Sequence, residues 1–522
     1  MSGRDVSRKL DDDVVAGTQL SVAVLRFIKA APEPYKSDFR SLLLAWSEQK
    51  NDIDTYDEII PFSNGLQQLK QDPEIHVAEH NTGFHILPMS DRVVFHDQNW
   101  SATLAMSSRR TGLYESLNFE NLNPFYQAAG ALQIYLDNDR EQYLNDYYPT
   151  MNPYHTPGVT AGQNLQSLAP YGTTAVNYWG GGVKWKHLGA ASLDYISYDK
   201  QANAKKSWFF LGNVIIALGI ACNSLSGTEL HTTVEARKSP DNSPRLLVDG
   251  QSAVDMPWSK TFANPSWAHI DGVGGYHFLD SGNVTCERST NTGKWTDINQ
   301  YPDYAQFNDT LNREYVTIYR NHAVDPVNGS YAYAILPNAT ALVTAKRAEF
   351  VSYRLVSNTD HVQAVTMFDK HTTMATFWKP GTVFDIEALT ACQIAWGYSN
   401  DGDKSYTLAI ADPSQRATKV QLWLRNSDVG GILSKDPEIE LLKASRSGKL
   451  IQVDVRESRG KTYSITFERD TKTPMTASLM SWVFILLLFT VVITICLPQT
   501  DQTQTHRTRR WLQRLFVTRR SY

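Results

Sequence analysis

From about residue 55 onward the chain is a succession of short strand-forming runs separated by turn signals, with no helix-length periodic segment between them. Tyr315–Tyr319 (YVTIY), Tyr331–Leu336 (YAYAIL), Val420–Leu424 and Tyr463–Phe467 (YSITF) are of this kind. Several alternate with period 2, which puts their apolar side chains on one face of a pleated strand. Asp249-Gly250, Asn328-Gly329, Asp401-Gly402 and Ser447-Gly448 mark turns between such runs. A strand with one apolar face must bury it. A long series of them therefore predicts a mainly β, antiparallel fold with two sheets packed face to face. The pattern restarts near Val351, where VSYRLVSNTDHVQAV opens a smaller β unit that ends near Glu468. These boundaries predict a central β-sandwich at 55–350 and a small C-terminal β domain at 351–470. The 25 Tyr and 13 Trp suit β structure. They also suit a surface that stacks sugar rings, though core packing is the commoner use.

The first fifty residues read as helical. Leu20, Val24, Phe27 and Ile28 form one apolar stripe. After a break at Pro32 and Pro34, Tyr35, Phe39, Leu42, Leu43 and Trp46 form a second. Two such helices make an αα-hairpin over 1–54. Alone they leave both stripes uncovered, so they are expected to pack on the next domain or on helices beyond this sequence.

Met475–Leu497 is a 23-residue run without a charge. As a helix it would extend about 34 Å, enough to cross a bilayer core, and it is predicted to be a single transmembrane helix. The tail at 498–522 sets Arg507, Arg509, Arg510, Arg514, Arg519 and Arg520 against one acid, Asp501. That bias places the tail in the cytoplasm and the large domain in an extracellular or lumenal space. Within the tail Trp511, Leu512, Leu515 and Phe516 fit either a short interfacial helix or a disordered basic segment. Five glycosylation triplets, at Asn99, Asn283, Asn308, Asn328 and Asn338, agree with an outside location. The opening MSGRDVSRKLDDDVV has no apolar signal core. Either the helix is a tail anchor that leaves the large domain in the cytosol, or the sequence starts inside a longer protein.

A net charge of −4 supplies no global basic field, and no nucleic-acid partner is expected. Cys496 lies in the apolar run, and Cys222, Cys286 and Cys392 are far apart. They make neither a disulfide framework nor a zinc site, and at most one bridge. His76, His80 and His85 lie in HVAEHNTGFH, but Gly83 and the strand-like FHILPM interrupt any helix that would align them. No metal and no cofactor are expected. Gly180–Gly182 lacks the ending of a phosphate loop and reads as a sharp β turn, with Trp179 and Trp185 beside it as core. The densest polar run is Met106–Leu122, MSSRRTGLYESLNFENL, with two arginines, two glutamates and two asparagines in seventeen residues. It reads either as a charged surface loop or as polar groups converging on a polar ligand.

Eight runs together carry a resemblance. They are GRDVSR at Gly3–Arg8, the Met106–Leu122 run, YLNDYYPTMNPYHTPGVT at Tyr143–Thr160, and KKSWFFLGNVIIALG at Lys205–Gly219. HTTVEAR at His231–Arg237, GKWTDIN at Gly293–Asn299, YAYAILPNAT and SNTDHVQAV complete the series. In these runs the chain resembles the family 8 polysaccharide lyases, the group of hyaluronate, chondroitin and xanthan lyases, from residue 1 to about 465 in order. The resemblance implies an incomplete α/α toroid, then a large antiparallel β-sandwich, then a small β domain. The helices at 1–54 would be a remnant of the toroid. The implied chemistry is β-elimination at a uronic acid. A donor neutralises the uronate carboxylate so that C5 can lose its proton, a base takes that proton, and a tyrosine protonates the departing O4. In the family an Asn, a His and a Tyr do this from the toroid, and none of them is assigned here.

What the resemblance does assign is a supporting shell. Arg4 and Arg8 match paired arginines four apart, which would share a helix face and clasp a substrate carboxylate or sulfate, or orient the tyrosine. Glu115 would orient the arginine and tyrosine, and Asn118 would contact sugar. The bland alternatives are an exposed basic first turn for the arginines and, for Glu115, a loop acid paired with Arg109 or Arg110. The expected function is a membrane-anchored, glycosaminoglycan-type polysaccharide lyase, acting on hyaluronan, chondroitin or a related polymer, whose chain as given is inactive. The alternatives are a non-catalytic carbohydrate-binding cell-surface protein and, more remotely, a tail-anchored cytosolic scaffold.

Overall fold

Burial follows the sequence alternation closely. In Trp100–Ala105 every second residue is buried, and Lys419–Leu424 buries Val420, Leu422 and Leu424. The computed structural model describes residues 12–48, 59–73, 75 and 82–469 apart from 140–141, 145, 165, 240–244, 254, 350–351, 370, 399–403, 426–428 and 446–447. Among the described residues the strands form antiparallel sheets of four, five, nine, seven and five strands.

The large domain holds three of these sheets rather than the two expected. Its nine-stranded sheet, which includes Leu188–Ile196, Ala202–Phe210, Ile215–Ser224 and Gly329–Pro337, is covered on both faces. Trp208, Phe210, Ile215 and Ala217 face the four- and five-stranded sheets, packing with Phe84, Leu104 and Ile318. Phe209, Leu211, Ile216 and Leu218 point the other way, against Val365, Met374, Ala395 and Ala409 of the seven-stranded sheet. Two buried faces explain why WFFL and VIIAL are continuous apolar runs. Each such side chain contributes roughly 1.5–3 kcal/mol on burial. The seven- and five-stranded sheets then enclose a separate core of residues such as Phe377, Ile394, Leu422 and Ile451. This smaller unit runs from Tyr353 to Arg469.

Gly180–Gly182 is not a turn. It opens the edge strand Gly180–Trp185 of the nine-stranded sheet. A Cβ on Gly182 would sit 2.3 Å from the Ala190 carbonyl oxygen, and one on Gly181 would press on Pro413 of the small domain at 3.2 Å. These glycines serve close backbone approach. Asp249-Gly250 does form the expected turn, as a two-residue hairpin between Val248 and Gln251 with φ of 45° and 81°.

The helical segment also differs from expectation. Asp12–Ile28 and Tyr35–Glu48 are joined by a third helix, Ile59–Gln71. The three share a core of Ile28, Leu43, Leu44, Trp46, Leu66 and Leu69, so the stripes are partly covered from within the chain. Leu20, Phe27 and Tyr35 stay exposed. The first described β strand begins only at Gly83, not near residue 55. Among the described residues no helix is long and apolar enough to cross a membrane. Met475–Leu497 and the basic tail lie outside the described residues. Cys222, Cys286 and Cys392 are buried free thiols.

Candidate functional site

The Met106–Leu122 run is built on one buried carboxylate. The Asp91 side chain is fully buried and accepts from Arg110 Nη2 at 2.6 Å, Ser108 Oγ at 2.6 Å and Thr111 Oγ1 at 2.8 Å. Arg110 also donates to the carbonyls of Gly180, Tyr178 and Ser414. It is thus a framework cation that joins the large domain to the small one. Arg109, its neighbour, points to solvent and donates to the Tyr178 hydroxyl at 2.7 Å. The pairing of Glu115 with Arg109 or Arg110, weighed above, is not made.

From Arg109 onward the run pairs as a ribbon with 173–177, through Arg109 N to Asn177 O, the Gly112–Thr174 bridge and Leu113 N to Thr173 O. It then turns through residues 115–122. Asn121 Nδ2 donates to the Glu115 carbonyl at 2.6 Å. Gln300 N donates to the Phe119 carbonyl at 2.8 Å and Leu122 N to that of Ile298 at 2.9 Å. The turn is therefore fastened to the end of the GKWTDIN run. Asn118, Phe119 and Asn121 all hold left-handed backbone, with φ of 53°, 61° and 53°. Asparagine tolerates this region, but phenylalanine there costs on the order of 1–3 kcal/mol and persists only because the surroundings impose it. The result is a rigid tip that presents Glu115, Asn118 and Phe119 to solvent, with Phe119 71% exposed. No hydrogen bond within the described residues engages the Asn118 side chain. Tyr114, next to the tip in the chain, lines a narrow crevice with Phe125, Tyr126, Tyr195 and Tyr198 that has room for little more than a water molecule.

Arg4 and Arg8 lie outside the described residues, so only Glu115 and Asn118 of the expected shell are brought together. Phe119 was not singled out from the sequence. Its left-handed backbone is the feature that marks it, and residue type does not reveal that.

Other matching runs serve the framework. In HTTVEAR, buried Glu235 accepts from Tyr276 Oη at 2.8 Å, and buried Arg237 donates to Asp139 and the Ile134 carbonyl. His231 Nδ1 lies 3.1 Å from His155 Nε2, and Tyr319 stacks on both rings. Burial, then the neighbouring His231, pushes His155 down to about 4. Lys206 is wholly buried, with its ammonium on the carbonyls of Gly158 and Ala129, and burial pushes it down to about 7. Trp179 and Trp185 are core residues, as read from the sequence. His85 lies on the strand Gly83–Leu87, while His76 and His80 are outside the described residues. Among the described residues no group of His, Cys, Asp or Glu could hold a metal ion. Asn99, Asn283, Asn308, Asn328 and Asn338 are all exposed.

Comparison with known proteins bears directly on this arrangement. The profile of the polysaccharide lyase family 8 super-sandwich domain matches residues 82–348, and that of the family's C-terminal β-sandwich domain matches 354–421. The chain belongs to polysaccharide lyase family 8. The family 8 super-sandwich domain thus contains the whole Met106–Leu122 run. A hyaluronate lyase of Thermasporomyces composti is 29% identical over 471 residues, covering 88% of this chain and 59% of that protein. A xanthan lyase of Bacillus sp. (strain GL1) is 27% identical over 486 residues, covering 91% and 51% respectively. The solved structure of a Paenibacillus xanthan lyase superimposes with a TM-score of 0.82 at 24% identity, over 90% of this chain and 46% of that one. The chain spans about half the length of the curated family 8 relatives it matches.

Proposed function

We propose that this chain supplies the β-domain wall of a lyase that cleaves a uronate-containing polysaccharide by β-elimination. The observation that carries the reading is the tip at 115–119, exposed to solvent and fixed by left-handed backbone. In this reading Asn118 offers an amide to sugar hydroxyls and Glu115 orients a cation and a tyrosine on a facing helical wall. A fixed tip suits this role because positioning groups act by holding reactants, and a strained loop held from both sides does not reorganise. The helices Asp12–Gln71 are proposed as the end of that helical wall, with Arg4 and Arg8 preceding them.

The groups that move protons belong to the facing wall in this account. No histidine precedes His76, so the described helices carry no imidazole base. His155, His231 and His322 are packed in the large domain with their partners. Hyaluronan and chondroitin are the proposed substrate class, with xanthan as an alternative, following the activities named for the relatives. Met475–Leu497 is proposed to anchor the protein, with its large domain on the outer side. The exposure of the five asparagines at these triplets is compatible with that side.

A second reading, sugar binding without chemistry, is favoured by the tip itself, whose polar groups are one amide and one carboxylate. Incubating residues 1–522 with hyaluronan, chondroitin and xanthan, and following the ultraviolet absorbance of an unsaturated uronate, tests the division of labour. No product is expected from this chain alone. Product formation would overturn the assignment of proton transfer to another wall.

A further inference from the structure

Two arginines from different domains converge on one tyrosine beside the candidate site. The Arg416 guanidinium carbon lies 4.0 Å from the Tyr178 ring centroid, and that of Arg109 lies 5.2 Å from it while donating to the hydroxyl. Both arginines are exposed, and Tyr178 is 37% exposed. No carboxylate pairs with either guanidinium among the described residues. The contrast with Arg110 is instructive, since that cation is consumed by Asp91 and three carbonyls.

The positions of both cations are built. Asp412 is the obvious acid near Arg416, yet its carboxylate accepts from Ser414 N, Ser414 Oγ, Arg416 N and Ala417 N, so it caps its own turn. That turn is held to the large domain by Gln415 Nε2 on the Pro88 carbonyl and by Arg110 on the Ser414 carbonyl. On the other side, buried Asn177 donates to the Ser107 and Trp179 carbonyls and fixes Tyr178 between them. Two like charges on one tyrosine without a counter-ion are electrostatically unfavourable, and an anion bound beside them would relieve that. The hydrogen bond from Arg109, then the charges of both arginines, hold the Tyr178 hydroxyl below the ordinary tyrosine value, as expected where positive potential is concentrated. Planar guanidiniums match carboxylate and sulfate geometry, and a half-exposed ring adds a face for sugar.

The patch lies on the same ribbon as the tip. Glu115 is six positions on from Arg109, at most about 22 Å of extended chain. We propose that Arg109, Tyr178 and Arg416 form an anion subsite at the junction of the two β domains. It takes a carboxylate or sulfate of an acidic polysaccharide, away from the sugar held at Asn118. This rests on the reading of the Glu115–Phe119 tip as one wall of a polysaccharide cleft.

The test is calorimetric titration of the full chain with chondroitin sulfate and hyaluronan oligosaccharides at two ionic strengths, with neutral dextran as control. Arg109→Ala/Arg416→Ala is expected to weaken binding of the acidic oligosaccharides about tenfold or more, and to flatten its salt dependence. Its unfolding midpoint is expected to match wild type, which separates a ligand site from a clasp between domains. Arg109→Lys/Arg416→Lys is expected to restore part of the affinity. Unchanged affinity in the double alanine variant, or no binding of either acidic oligosaccharide by the wild-type chain, overturns the proposal. Glu115→Ala/Asn118→Ala reports on the cleft reading separately. If it leaves binding intact while the arginine pair matters, the subsite stands and the cleft assignment falls.

Discussion

The Lys206 ammonium donates to the Gly158 carbonyl at 2.6 Å. Its second bond, to the Ala129 carbonyl at 3.1 Å, brings in the segment that follows the Met106–Leu122 run. One buried cation in the nine-stranded sheet therefore ties together two segments that frame the candidate site. The faces of Trp208 and Tyr195 lie beside it. Both segments approach it on glycine. A Cβ on Gly130 would sit 2.6 Å from Trp208, and one on Gly158 would sit 2.6 Å from the Gly130 carbonyl oxygen.

Gly158→Ala should therefore be costly. The residue has φ of +79°, and its new methyl would meet backbone that cannot rotate away. Strain and overpacking together are expected to remove about 2–4 kcal/mol, read as a lower urea midpoint at unchanged slope.

Arg109 and Arg110 should behave oppositely. Arg110→Ala leaves the fully buried Asp91 carboxylate without its cation, and a loss of about 3–5 kcal/mol is expected. Arg109→Ala removes an exposed side chain and should change stability by no more than ~0.5 kcal/mol. Chemical denaturation of the two variants side by side checks both.

Acid should destabilise the fold before its carboxylates titrate. Burial holds His155 at about 4 and His322 at about 3 in the folded protein, below the ordinary histidine value. Over that interval the unfolded chain binds more protons, so the contribution is intact above pH ~6.5 and is lost as pH falls toward the folded values. The unfolding midpoint should drop between pH 6.5 and 5, with an eventual loss of about 3 kcal/mol from His155 alone. His155→Gln should flatten this slope without altering stability near pH 8 as steeply.

Phe119→Gly should trade function for stability. Glycine adopts φ of 61° without the side-chain penalty, so a gain of up to about 1 kcal/mol is expected. The same change removes an exposed aromatic from the tip and should weaken oligosaccharide binding. A variant that is both less stable and equally tight would contradict the strain argument.

Alternating runs such as Lys419–Leu424 were legible because one face is buried and the other is not. The third sheet of the large domain was not, because WFFL and VIIAL are buried on both faces and carry no alternation. The helix Ile59–Gln71 was hidden by Pro61 and Gly65. Proline is tolerated in a first turn, and Gly65 admits Leu25, whose Cδ2 would lie 2.7 Å from a Cβ there. Glu115 and Asn118 were legible through their run. The loss of Arg110 as a partner for Glu115 was not, because Asp91, 19 residues upstream of Arg110, claims that cation. The convergence of Arg109 and Arg416 on Tyr178 joins residues far apart in the chain, which no local pattern encodes.

The most direct measurement of the central claim is titration of the chain with an uncleaved hyaluronan or chondroitin oligosaccharide, comparing wild type with Asn118→Ala and Glu115→Ala. The account predicts saturable binding that Asn118→Ala weakens by about tenfold, with both variants folded as wild type. Binding of equal strength in all three proteins would contradict it.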